Sequence, residues 1–73
     1  MDTKKYVVLM AWAGSNYSAH VPDLPGCAAV GDTQEECLRN MQEAISLHIA
    51  GMIEDGDPVP EPSSIAGYVE AVA

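Results

Sequence analysis

An α+β fold of order β-β-β-α-β is predicted for this 73-residue chain by three features of its sequence. Apolar and alternating runs fill the first third. One amphipathic stretch with helix-start signals fills the middle, and a second alternating run closes the chain. A lone helix covers only one face of a four-stranded sheet, so the other face is expected to lie open. The length corresponds to one domain, residues 1–73, near the lower limit of what folds alone.

Residues 5–13 (KYVVLMAWA) are apolar and rich in β-branched and aromatic side chains, as a mostly buried strand is. Gly14-Ser15 follows with glycine first, the order that a two-residue type II′ hairpin turn requires. In residues 16–22 (NYSAHVP), Tyr17, Ala19 and Val21 alternate with Ser18 and His20. Pairing Ala13 with Asn16 sets Trp12 opposite Tyr17, Met10 opposite Ala19 and Val8 opposite Val21. That face is strongly apolar. The reverse face carries Val7, Leu9 and Ala11 beside Ser18 and His20 and is half polar. Pro22 ends the strand because it has no amide hydrogen to donate. Leu24-Pro25-Gly26-Cys27 has proline and glycine where a type II turn places them, with Asp23 just before it. Cys27 to Val30 then makes a short third strand suited to an edge.

Gly31-Asp32-Thr33 opens the helix. Asp32 with Glu35, and Thr33 with Glu36, are overlapping capping boxes between which the sequence does not choose. Acidic side chains in the first turn also suit the helix dipole. Cys37, Leu38, Met41, Ala44, Ile45, His48, Ile49 and Met52 form one apolar stripe. Leu47 and Ile53 fall outside it and mark a surface that an oligomer would cover. Asp55-Gly56 stops the helix. Pro58, Pro60 and Pro62 then impose an extended crossing segment, and Gly67 to Ala73 (GYVEAVA) alternates as a final strand.

Eleven acidic residues against three basic ones give a formal charge of −8. Such a surface repels phosphates and anionic headgroups, which argues against direct nucleic-acid or membrane binding, and it attracts a basic protein. Two cysteines, Cys27 and Cys37, are too few for a disulfide framework and are not at zinc-ribbon spacing, so they read as buried apolar groups in the reducing cytoplasm. Without a staple, so small a domain is expected to gain stability as a homodimer or higher even oligomer, partly through its half-covered sheet face. The basic start and short apolar run lack a small-residue cleavage site and are read as a strand rather than a signal peptide.

Catalysis finds little support in the residue types. Two-metal hydrolysis needs carboxylates converging on one face, and Tyr6 to Ala13 holds none. Asp23 falls in a turn, Asp32 at a cap and Glu36 on the wet side of the helix. His48 is read as a packed member of the stripe, and His20 as solvated or touching a partner. No basic group is expected near either cysteine to lower its thiol pKa. Trp12 and Tyr17 are read as capping the core at the hairpin end, with an interface role as the alternative. No cofactor, metal or catalytic residue is expected.

Tyr17 to Cys27 (YSAHVPDLPGC), followed by Val30 to Glu36 (VGDTQEE), an amphipathic helix and Pro58-Val-Pro-Glu-Pro-Ser, resembles the HicB-type antitoxin domain from about Tyr6 to Ser63. The motif residues are Pro22, Asp23, Leu24, Pro25, Gly26, Cys27, Gly31, Asp32, Thr33 and Glu36. The resemblance implies a partial ribonuclease-H-like fold, a four-stranded mixed sheet of order 3-2-1-4 with the last strand parallel to the first. It also implies a non-enzymatic module that neutralises a small basic messenger-RNA-cleaving toxin of HicA type by occlusion. Many such antitoxins carry a C-terminal DNA-binding module, and this chain is expected to be a stand-alone member without one. The surfaces expected to meet a partner or a second copy are Val7, Leu9, Ala11, Ser18 and His20 on the sheet, Leu47 on the helix, and the acidic Glu54, Asp55 and Asp57. The alternative is an orphan regulatory domain binding a small molecule on the exposed sheet face.

Overall fold

A computed structural model describes residues 3–73. Three strands, β1 (Leu9–Trp12), β2 (Tyr17–His20) and β3 (Ala28–Gly31), precede one helix, α1 (Gln34–Glu54). The sheet is wholly antiparallel in the order β1-β2-β3. Trp12 pairs with Tyr17 and Met10 with Ala19, the register that the hairpin turn dictates. Ala13 N–H donates to the Asn16 carbonyl at 2.8 Å, and Gly14 takes the positive φ of 96° that a II′ turn asks of its first residue. The type II turn also forms: Cys27 N–H donates to the Leu24 carbonyl at 3.1 Å, with Gly26 at φ 85°.

The expected fourth strand is absent among the described residues, so the mixed 3-2-1-4 sheet gives way to three antiparallel strands. The cause lies in residues 57–64, which leave the helix and are pinned across the foot of the molecule. Tyr6 Oη donates to the Pro60 carbonyl at 2.6 Å, Lys4 pairs with Glu61 at 2.6 Å, and Ser63 and Ser64 are held by Asp23. This route carries the chain past the lead into β1 and on to the turn leaving β2, so that residues 65–73 do not run along β1. Beyond it, Ile65, Tyr68, Val69 and Val72 are 94–106% exposed.

Helix α1 starts as capping chemistry demands. Thr33 is the N-cap, in extended geometry, and its Oγ1 accepts from Glu36 N–H at 3.1 Å. The Glu36 carboxylate reaches back to Asp32 N–H at 3.5 Å, one residue earlier than an ideal box. The end is a Schellman motif: Asp57 N–H donates to Met52 and Gly56 N–H to Ile53, with Gly56 at φ 76°. No basic residue lies in the last turn, and Glu54, Asp55 and Asp57 stand exposed around it.

The core is small: Ala19, Val21, Leu24, Cys27, Cys37 and Met41, joined by half-buried neighbours such as Met10, Tyr17, Ile45 and Met52. Leu24, the middle of the Pro22–Cys27 loop, is 1% exposed and plugs the end of the sheet–helix layer. The helical stripe is only partly core. Cys37 and Met41 are fully buried, whereas Leu38, expected near its centre, is 46% exposed. Tyr17 packs on the core, but Trp12 is 58% exposed and meets Tyr17 edge-on at 5.0 Å, so only one of the pair caps the core.

Candidate functional site

The Pro22–Cys27 loop does more than turn the chain. Two consecutive reversals, closed by Leu24 N–H to the Val21 carbonyl and Cys27 N–H to the Leu24 carbonyl, bury Leu24 and leave the Asp23 carboxylate half-exposed beside the segment that follows the helix. There Asp23 Oδ2 accepts from the amides of Ser63 and Ser64, both at 3.0 Å, and Oδ1 accepts from the two hydroxyls at 3.0 and 2.9 Å. The Ser64 amide, then the Ser63 amide, and the two hydroxyls more weakly, hold this carboxyl near a pKa of about 2. The clamp joins residues 40 and 41 positions apart. Two adjacent serines after a proline-rich stretch were its only trace in the sequence.

Gly31 lies where β3 gives way to the helix cap. A Cβ there would sit 2.5 Å from the Cys37 amide nitrogen and 2.7 Å from its Cα. Gly31, Asp32, Thr33 and Glu36 therefore form one structural joint, braced further along by Asn40, whose side-chain amide donates to the Val30 carbonyl at 2.8 Å.

The residues expected to meet a partner separate into three places. Leu9, Ala11, Ser18 and His20 share the sheet face turned away from the helix, where Leu9 pairs with His20 and Ala11 with Ser18. Val7 is half-buried at the start of that edge. Leu47 is exposed on the helix, and Glu54, Asp55 and Asp57 surround its end. A groove of about 740 Å³ lies elsewhere, between residues 4–8 and the helix. Tyr6 and Val8 form one wall, and Leu38, Ile45, Ile49 and Ile53 the other. The helical stripe is wider than the sheet it packs on, so its outer half lines this groove instead of core. No β2 or β3 residue lines it.

Among the described residues, no three His, Cys, Asp or Glu side chains converge as a metal site. Cys27 and Cys37 are free and buried, and burial pushes the Cys27 thiol pKa up. His48 is half-buried and His20 exposed. No helix of the described residues is long and apolar enough to cross a membrane.

Comparison with known proteins bears on this architecture. The profile of a family described as the HicB-like antitoxin of bacterial toxin-antitoxin systems matches residues 6–73. An uncharacterised 14.9 kDa protein of Haemophilus phage HP1 is 41% identical over 64 residues, 88% of this chain and 48% of the phage protein. The chain thus spans about half the length of that relative. A UPF0150 protein of Synechocystis sp. is 41% identical over 59 residues, covering 81% and 75% of the two chains. Among solved structures, a chain of the HicA3 and HicB3 toxin-antitoxin complex superposes with a TM-score of 0.72 at 27% identity, over 82% of this chain and 70% of that one.

Proposed function

Because the chain belongs to the HicB-like antitoxin family, we propose that it is a non-enzymatic cytoplasmic antitoxin that captures and occludes a small basic messenger-RNA-cleaving toxin. The likeness to a chain of the HicA3 and HicB3 complex carries this reading. The charge of −8 supports it, since an acidic surface attracts a basic partner from beyond contact distance. The exposed sheet face with Leu9, Ala11, Ser18 and His20, together with the acidic helix end, supplies the apolar and charged ground for the complex. The orphan small-molecule reading placed a ligand on that sheet face, whereas the groove described above lies between residues 4–8 and the helix. Self-association as a homodimer is part of the proposal, because the buried core is small for a free-standing fold.

The test is co-expression with a small basic ribonuclease of HicA type. The expected result is a stable complex and loss of the partner's ribonuclease activity at equimolar antitoxin. Unimpaired ribonuclease activity, or no complex at micromolar concentrations, would count against the reading.

A further inference from the structure

We propose that residues 65–73 are an exchange arm, which lies along the free edge of β1 in a second copy of this chain and fills the groove between that copy's residues 4–8 and its helix. This deepens the self-association proposed above and is independent of any toxin.

Four observations converge on it. The arm is apolar yet unpacked: Ile65, Tyr68, Val69 and Val72 are 94–106% exposed, and the radius of gyration is 13.8 Å where a compact chain of this length has about 11 Å. Its pattern is that of a strand with one dry side. Ile65, Gly67, Val69, Ala71 and Ala73 fall on one face, while the other holds Ala66, Tyr68, Val72 and the arm's single charge, Glu70. The receiving site matches. Among the described residues β1 pairs only with β2, so its outer edge has unused backbone groups, and the groove beside it is bounded by residues 4–8, the helix and Val59. Along that edge Val8 points into the groove, while by alternation Lys5, Val7 and Leu9 point the other way. An arm with Val69 in the groove therefore places Glu70 on the same side as exposed Lys5. Charge and hydrophobic pattern select the same facing.

The chain's own edge is the poorer acceptor. Asp23 clamps Ser63 and Ser64 at the turn leaving β2, one strand away from the free edge. Pro58, Pro60 and Pro62 stiffen the approach, and a stiff extended hinge favours exchange between copies over folding back. A nine-residue arm with the edge and groove it covers, given and received by each copy, engages about 20 residues per partner, the scale of a standard stable interface.

Light scattering of the full chain at micromolar concentration, with cysteine cross-linking, tests this. The expected mass is that of a dimer, strengthened by added salt because two chains of charge −8 repel each other. Val69→Asp should halve the mass and leave the circular dichroism unchanged, since Val69 is exposed in the monomer. Leu9→Cys in one copy, mixed with Ala66→Cys, Tyr68→Cys or Val72→Cys in another, should give an oxidised product of twice the chain mass in at least one mixture. A monomer, a dimer indifferent to Val69→Asp, or cross-links forming only within a single chain carrying both cysteines would each overturn the arm. A dimer that survives Val69→Asp would retain self-association while removing the arm as its cause, and none of these outcomes touches toxin capture.

Discussion

Gly31 is confined by its neighbours rather than by its torsion angles. The backbone of Cys37 stands where a Cβ would go, and backbone does not swing aside as a flexible side chain does. Gly31→Ala is expected to destabilise the fold by about 1–3 kcal/mol, as overpacking in a closed joint does. Gly26→Ala meets open space and loses only the tolerance for positive φ, about 1–2 kcal/mol. Chemical denaturation of both variants measures the two costs. Asp23 carries the other expectation at this scale. Its carboxyl is held near a pKa of about 2 against an ordinary 3.8, so the clamp contributes fully above about pH 4 and is lost as pH falls through about 2. The amide protons of Ser63 and Ser64 should therefore titrate with a midpoint near 2. Asp23→Asn should abolish that titration and increase protease cutting between residues 57 and 65. A midpoint near 3.8 would mean that the clamp does not persist in solution.

At the scale of elements, the helix separates into two faces of unequal worth. Met41 is sealed between sheet and helix, and Met41→Ala should cost about 2–5 kcal/mol. Leu38 faces the groove and is half-exposed, so Leu38→Ala should cost no more than about 1 kcal/mol while the chain is monomeric. Equal losses in urea denaturation would place Leu38 in the core. The difference was not legible in the sequence, because periodicity identifies which side chains share a face but not how far the opposing sheet extends. Three short strands leave half of that stripe uncovered. Where the controlling chemistry is local, the reading held: Gly14, Gly26, Thr33 and Gly56 placed both turns, the cap and the helix end within a residue.

For the whole molecule, charge governs encounter. Association with a basic toxin should slow as salt rises, because screening at physiological ionic strength sets in beyond about 8 Å, whereas dissociation from packed contacts should change little. Charge reversal at Glu54, Asp55 and Asp57 should lower the on-rate severalfold and alter the off-rate less, as read by stopped-flow kinetics at several salt concentrations. A salt-independent on-rate would reduce the acidity to a solubility device. The global topology was the least legible level. The alternation of residues 67–73 is a genuine strand pattern, yet four hydrogen bonds that Ser63 and Ser64 donate to Asp23, some 40 positions upstream, send that segment away from its own sheet. A strand pattern states that a segment wants a partner edge and not whose edge it is. The surface reading was split for the same reason, since Leu9 and His20, Leu47 and the Glu54 cluster lie on separate parts of the molecule.

The helix end around Glu54, Asp55 and Asp57 has a further consequence. Exposed carbonyls already make a helix C-terminus partially negative, and three carboxylates with no cation in the last turn add to that charge. The free protein therefore holds unrelieved repulsion at this end, which either mobile cations or a cationic partner discharge. Added salt should accordingly raise the melting temperature of the isolated chain while slowing its capture of a basic toxin, so that folding and encounter answer to ionic strength with opposite signs. Binding at that end would release the repulsion and stiffen the last helical turn, letting the bound antitoxin resist unfolding and proteolysis beyond what the new contacts supply.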